Sequence, residues 1–160
     1  MTPKETLIRP ATDTDAPALL ELIRIAMAVY AHRSGIGTLL DAQLETLEDL
    51  LSHLHTDHVL VAEREDALVG TVRLVHRPGS DVAYFSRFAV LPSLHLNGVG
   101  SMIYQAAEDH LREQGVRFVR LHTALTNPLL VSFYQSRGFR LIETKTARGY
   151  PRGLFEKQIR

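Results

Sequence analysis

Two stretches of this chain hold residue types at a spacing that could do chemistry. The first runs Val90-Leu91-Pro92-Ser93-Leu94-His95-Leu96-Asn97-Gly98-Val99-Gly100. An extended apolar run ends here, two glycines follow, and a helical pattern begins. Free backbone N–H groups at a helix N-terminus converge on one point and carry partial positive charge. Glycine lets a bulky anion approach that backbone without a Cβ in the way. A pyrophosphate is the natural guest, and a plain strand-to-helix turn is the alternative. The second stretch, Asn127-Pro128-Leu129-Leu130-Val131-Ser132-Phe133-Tyr134-Gln135-Ser136-Arg137-Gly138-Phe139, carries two aromatic residues on a short helix stopped by glycine.

The first stretch does not fit the commoner phosphate motifs. A P-loop needs Gly-Lys-Ser/Thr after four residues, and Gly100 is followed by Ser101-Met102. The dinucleotide fingerprint needs a third glycine near Ile103 and a parallel βαβ setting. What remains, His95-Leu96-Asn97-Gly98-Val99-Gly100 after a Val-x-Pro, resembles the Gln/Arg-x-x-Gly-x-Gly/Ala signature of the GCN5-related N-acetyltransferases, the GNAT superfamily. His95 stands where that family usually has Gln or Arg, and the basic residue that usually follows is missing. The second stretch is similar to the family's Asn, Phe-Tyr helix and Gly-Phe, at the family's distance. With Arg9-Pro10-Ala11-Thr12 and Asp15, the resemblance covers Leu7 to Thr144.

The resemblance implies an acyl-CoA-dependent N-acyltransferase with acetyl-CoA as co-substrate and no metal. Acyl-CoA would lie in a splay between the strand ending at Val90 and the strand ending at Thr123. Phe88, Ala89 and Val90 would pair with the pantetheine arm like an added strand. The Val90 N–H would polarise the thioester carbonyl. His95, Leu96, Asn97, Gly98, Val99, Gly100 and Ser101 would cradle the phosphates, and Asn127 and Tyr134 would complete the site. Tyr134 would protonate the departing thiolate as general acid, or else be a core tyrosine.

The general base is open. Ser86 occupies the position where many relatives carry glutamate, and it cannot serve. His122 is the leading candidate. Strand alternation puts it on the face opposite Leu121 and Thr123, and an ordinary imidazole is largely neutral at pH 7. A histidine without function is the competing reading, and Tyr84 and Glu45 are weaker candidates. A catalytically weak acyl-CoA sensor of the same fold is the alternative function, motivated by Ser86.

The elements that must position these residues are legible from periodicity. Leu7 to Arg9 reads as a strand, and Leu19 to Met27 repeats at helical spacing behind the capping residues Thr12 to Asp15. Gln43 to Leu54 reads as one further helix with Leu44, Leu47, Leu50, Leu51 and Leu54 on one face. Val59–Glu63, Ala67–Val75 and Asp81–Leu91 are extended runs joined by short turns, a meander. Gly98 to Gly115 is a helix with Gly115 at its C′ position. Val116–Thr123, Arg140–Thr144 and Leu154–Ile159 are strands, with the Pro128 to Arg137 helix among them. The order β-α-α-β-β-β-α-β-α-β-β predicts an α/β fold: a mixed, mostly antiparallel central sheet with helices on both faces.

Composition sets the outer bounds. The chain has 160 residues, 45% of them hydrophobic and 22% charged, which suits one domain over 1–160. Eighteen basic and eighteen acidic residues give zero formal charge, against the basic face a nucleic acid draws; the same balance disfavours a tRNA-modifying toxin of similar fold. There are no cysteines, so disulfides, thiolate nucleophiles and Cys-based zinc sites are excluded. No signal-like or membrane-length apolar run is found, so the expected location is cytoplasmic and no membrane partner is expected. His53, His55 and His58 with Asp57 form a polar cluster that reads as a solvated connection, with a transition-metal site as the minor alternative. Gly35-Ile36-Gly37 reads as an acceptor-side loop; Arg33 and Arg87 read as solvated, with the option that Arg87 meets an acidic acceptor. The expected partners are acetyl-CoA and an amine acceptor, with a homodimer left open.

Overall fold

The computed structural model of the chain describes residues 5–94 and 97–160. Its strands are β1 (Leu7–Pro10), β2 (His58–Arg64), β3 (Ala67–His76), β4 (Val82–Val90), β5 (Phe118–Ala124), β6 (Arg140–Lys145) and β7 (Arg152–Gln158). Its helices are α1 (Ala16–Arg33), α2 (Asp41–Leu44), α3 (Leu47–Thr56), α4 (Val99–Glu113) and α5 (Pro128–Ser136). The strands form one sheet in the order β1-β2-β3-β4-β5-β7-β6. Every neighbouring pair is antiparallel except β4 and β5. The α/β class and the β2-β3-β4 meander are as the sequence predicts.

Each face of the sheet carries its own core, and β2 shows why. Its side chains alternate, so Val59 and Val61 join Leu19, Ile23 and Leu50 under α1 and α3. Leu60 and Ala62 face the other way and join Ile103, Leu111 and Phe155 under α4. The α4 face demands a glycine in β3. A Cβ on Gly70 would lie 2.5 Å from the Ile103 side chain and 3.2 Å from the Ala89 carbonyl, so the helix sits tightly on the sheet only because none is there.

The helix expected over Gln43 to Leu54 is broken in two. Leu44 and Leu47 are 59% and 40% exposed, so the five leucines do not share one buried face. The break falls at Glu45, which is drawn inward to Arg73. Thr46 then starts α3 with a capping box: its hydroxyl accepts from the Asp49 N–H at 3.1 Å, and its own N–H donates to the Asp49 carboxylate at 3.1 Å. The chain entering α1 is fixed by Arg9, whose guanidinium donates twice to Asp15, at 2.8 and 2.9 Å, and once to Glu63 at 3.1 Å. Those bonds hold the Asp15 carboxyl down at about 2.

Candidate active site

The site begins where two strands part. β4 and β5 pair only at Val82↔Phe118, Ala83↔Val119 and Tyr84↔Arg120. Beyond Tyr84 both strands continue, β4 to Val90 and β5 to Ala124, without pairing to each other. A bulge sharpens the departure. Arg73 of β3 faces Ser86 and Thr71 faces Ala89, so β4 carries an extra residue between these pairs. Arg87, at the bulge, has φ +50°, a left-handed conformation uncommon for a side chain of its size. Both residues inside the bulge, Arg87 and Phe88, line the same cleft, together with Tyr84, Phe85 and Ser86 before it.

That cleft has a volume of about 470 Å³ and receives both expected catalytic side chains. Tyr134 reaches it from α5. Its ring is held edge-on by Phe85, Phe88, Phe133 and Phe139, with centroids 5.5 to 6.4 Å away. Burial among those rings, then the neighbouring Tyr30, pushes the phenol's pKa well above its usual value, so it keeps its proton at neutral pH. His122 reaches the cleft from β5 and lies parallel to Tyr84 at 6.3 Å. Its pKa is lowered by partial burial and then by Arg152, Lys145 and Arg148, so the imidazole is neutral at pH 7.

The glycine turn adjoins this cleft. Gly98 is the N-cap of α4 with φ +81°, and a Cβ there would meet nothing within 4 Å. Both the left-handed backbone and the open space suit an approaching ligand. Gly100 connects the turn to the cleft, because a Cβ on it would touch the Phe88 ring at 3.4 Å and Val90 at 3.7 Å. Val99 is buried under the helix, and Asn97 closes the preceding turn through its N–H to the Leu94 carbonyl at 3.2 Å. The Ser101 hydroxyl is bonded by Arg137, whose guanidinium lies 3.6 Å over the Phe133 ring. His95 and Leu96 lie outside the described residues.

Asn127 is buried and ties three elements together. Its carbonyl oxygen accepts from the Leu130 N–H at 3.3 Å, capping α5, and its amide donates to the Ser34 hydroxyl at 3.2 Å. The Ser34 carbonyl accepts from Thr126 at 2.6 Å, and the Tyr30 hydroxyl accepts from the Ala124 N–H at 2.8 Å. The end of α1 is thereby fastened to the open end of β5. Asn127 thus has a local structural task whatever else it contacts.

Two expectations about charged residues change. Glu45, a weaker candidate for the base, is 5% exposed and held by both terminal nitrogens of Arg73 at 2.9 Å. Both of its carboxylate oxygens are therefore taken up by Arg73. Arg87 is not simply solvated, since burial and Arg73 both lower its pKa. The histidine cluster is dispersed: His53 pairs with Asp57 at 2.9 Å, His55 with Asp13 at 3.2 Å, and His58 stacks on His110 at 3.7 Å. Among the described residues no group of three His, Cys, Asp or Glu is placed to hold a metal.

Sequence reasoning missed one wall of the cleft. Arg148 and Tyr150 reach it from the β6–β7 connection, Arg152 from the start of β7, and Tyr30, Met27 and Asp41 from the helical side. The signal was present as Arg148-Gly149-Tyr150-Pro151-Arg152, basic and aromatic residues around a turn.

Comparison with known proteins agrees with this geometry. The sequence profile of the Acetyltransferase (GNAT) family matches residues 37–139. The S-(2-succino)cysteine N-acetyltransferase of Bacillus subtilis (strain 168) is 27% identical over 160 residues, 95% of each chain. Among solved structures, the PaiA N-acetyltransferase of Thermoplasma acidophilum, in complex with coenzyme A, superimposes with a TM-score of 0.85 at 21% identity, covering 96% of this chain and 99% of that one. The ribosomal-protein-S18-alanine N-acetyltransferase of Escherichia coli gives a TM-score of 0.78 at 17% identity, covering 97% and 94%. The matched stretch is more than half of the chain, and the chain belongs to the Acetyltransferase (GNAT) family.

Proposed function

We propose that this N-acetyltransferase takes the acetyl group from acetyl-CoA seated in the β4–β5 gap and passes it directly to a primary amine. The observation that carries this reading is the parting of β4 from β5 beyond Tyr84↔Arg120, with Tyr134 and His122 both lining the cleft that opens there. The residues present fit the co-substrate. Its phosphates suit the α4 N-terminus, where Gly98 leaves open space, and its extended amide arm suits the unpaired stretch of β4 through Phe88, Ala89 and Val90. Acetyl-CoA supplies the activated thioester. That the Thermoplasma acidophilum neighbour is solved with coenzyme A supports the same reading.

The protein's own groups move two protons. His122, neutral at pH 7, accepts the proton of the acceptor's ammonium, directly or through water. The free amine then forms a C–N bond to the acetyl carbon as the C–S bond breaks, and the second proton shed by the acylated nitrogen passes to solvent. Tyr134, kept protonated by its aromatic surroundings, donates to the departing thiolate, and the phenolate regains a proton from solvent. Both substrates are bound together, so no covalent enzyme intermediate is needed.

Titration calorimetry with coenzyme A tests the seat. Gly98→Glu and Gly100→Glu each put a carboxylate where the phosphates would lie, and both are expected to abolish saturable binding. Wild-type affinity in both variants would overturn the assignment.

A further inference from the structure

The cleft carries unbalanced positive charge. Four permanently charged side chains line it: Asp41, Arg87, Arg148 and Arg152. Asp41 is taken up by Arg148 at 3.0 Å. The nearest carboxylate to Arg87 is Glu45, at 4.0 Å from its Nε, and Glu45 already holds both terminal nitrogens of Arg73 at 2.9 Å. The Arg87 Nε is buried with no hydrogen-bond partner. The Arg152 side chain makes no ion pair or hydrogen bond among the described residues. Two guanidinium groups therefore border a sheltered cleft without an anion of their own, beside the candidate base His122. The field is felt locally: Arg152, Lys145 and Arg148 all lower the His122 pKa, while Glu143 alone raises it.

The backbone is committed to this arrangement. Arg87 lies in the cleft because of the β4 bulge, at φ +50°. A non-glycine residue in that conformation is strained and persists where the surroundings over-determine it. A guanidinium offers a planar fork of donors that matches a carboxylate, and such charge-assisted pairs are strong where water is scarce. A polyamine would instead bring further positive charge against two uncompensated arginines.

Resting on the N-acetyltransferase reading, we propose that the acceptor is an amine that also bears carboxylates, of the acidic amino-acid class. Arg87 and Arg152 bind its carboxylates and so present its amine to His122.

The test uses the full chain and four primary amines: aspartate, glycine, glycinamide and spermidine. Binding is measured by calorimetry to the protein saturated with coenzyme A, and turnover by coenzyme A release. Aspartate should bind most tightly, with a loss of at least about tenfold for each carboxylate removed, and spermidine should bind least. Arg152→Gln lies at a strand end and should compress the aspartate-to-glycinamide ratio in kcat/KM at least about tenfold, mainly through KM. Arg87→Gln should do the same. Should Arg87→Gln fail to fold beside Glu45, Arg152→Gln decides alone. Equal use of spermidine or glycinamide and aspartate overturns the proposal and leaves the acetyltransferase reading standing, as does an unchanged ratio in Arg152→Gln. Selective aspartate binding with no acetylation of any amine sustains the anion site and overturns the acetyl-transfer reading instead.

Discussion

Glu45 and Glu108, the two most deeply buried carboxylates among the described residues, both face cations, and their surroundings differ. Glu108 on α4 accepts from the Tyr104 hydroxyl at 2.7 Å, from Arg112 at 2.9 Å, and pairs with Lys157 of β7. Lys157 also donates to the Tyr104 hydroxyl at 2.9 Å. Arg112 is 42% exposed, so water completes its shell. Glu45 instead meets Arg73, buried as deeply as itself, with Arg87 at a distance. The Nε atoms of Arg73 and Arg87 are the two buried side-chain nitrogens or oxygens without a hydrogen-bond partner among the described residues. A cluster that serves packing alone is expected to be closed in this way, as the Glu108 group is. The Glu45 group leaves two Nε atoms unmet, and its Arg87 member also lines the cleft.

Removing one partner from each cluster separates the two. Arg73→Met leaves a 5%-exposed carboxylate with only the distant Arg87 and His53, at 4.0 and 3.9 Å, and is expected to cost about 3–5 kcal/mol in urea unfolding. Lys157→Met leaves Glu108 with Tyr104 and a solvated Arg112, and should cost about 1–2 kcal/mol. Equal costs would mean that the Glu45 group is as closed as its counterpart, and the comparison would fail.

The cleft should answer to pH through rate. Partial burial and Arg152 lower the His122 pKa, so its neutral, proton-accepting form persists to lower pH than for an ordinary imidazole. The acid limb of kcat/KM is therefore expected below about pH 6.5. His122→Ala should lose about tenfold at neutral pH and recover part of it at high pH, where free amine is abundant. A limb that stays in place in that variant would pass the role to Tyr84 or solvent.

Periodicity made the sheet, the meander and α4 legible because each is governed by local alternation or by one apolar stripe. Gly98 and Gly138 were legible for a related reason: their φ values of +81° and +95° select glycine on the spot. The break between α2 and α3 was hidden, since it depends on Glu45 finding Arg73 on a strand 28 residues away. Yet Thr46-Leu47-Glu48-Asp49 carried a capping signature that reads as a helix start. Tyr134 and the glycine turn were found because their motifs are contiguous. The arginine wall was not, because Arg87, Arg148 and Arg152 are brought together by a bulge and a strand pairing that no local pattern announces.

The proposed mechanism turns on Tyr134, whose ring is locked by aromatic neighbours and which lines the cleft where β4 and β5 part. Steady-state acetyl transfer by Tyr134→Phe, measured with the preferred amine and set beside coenzyme A affinity from calorimetry, isolates its proton. The predicted result is a kcat lower by about 10²–10⁴ with unchanged coenzyme A binding. A kcat equal to the wild type would contradict it and leave Tyr134 a packing residue.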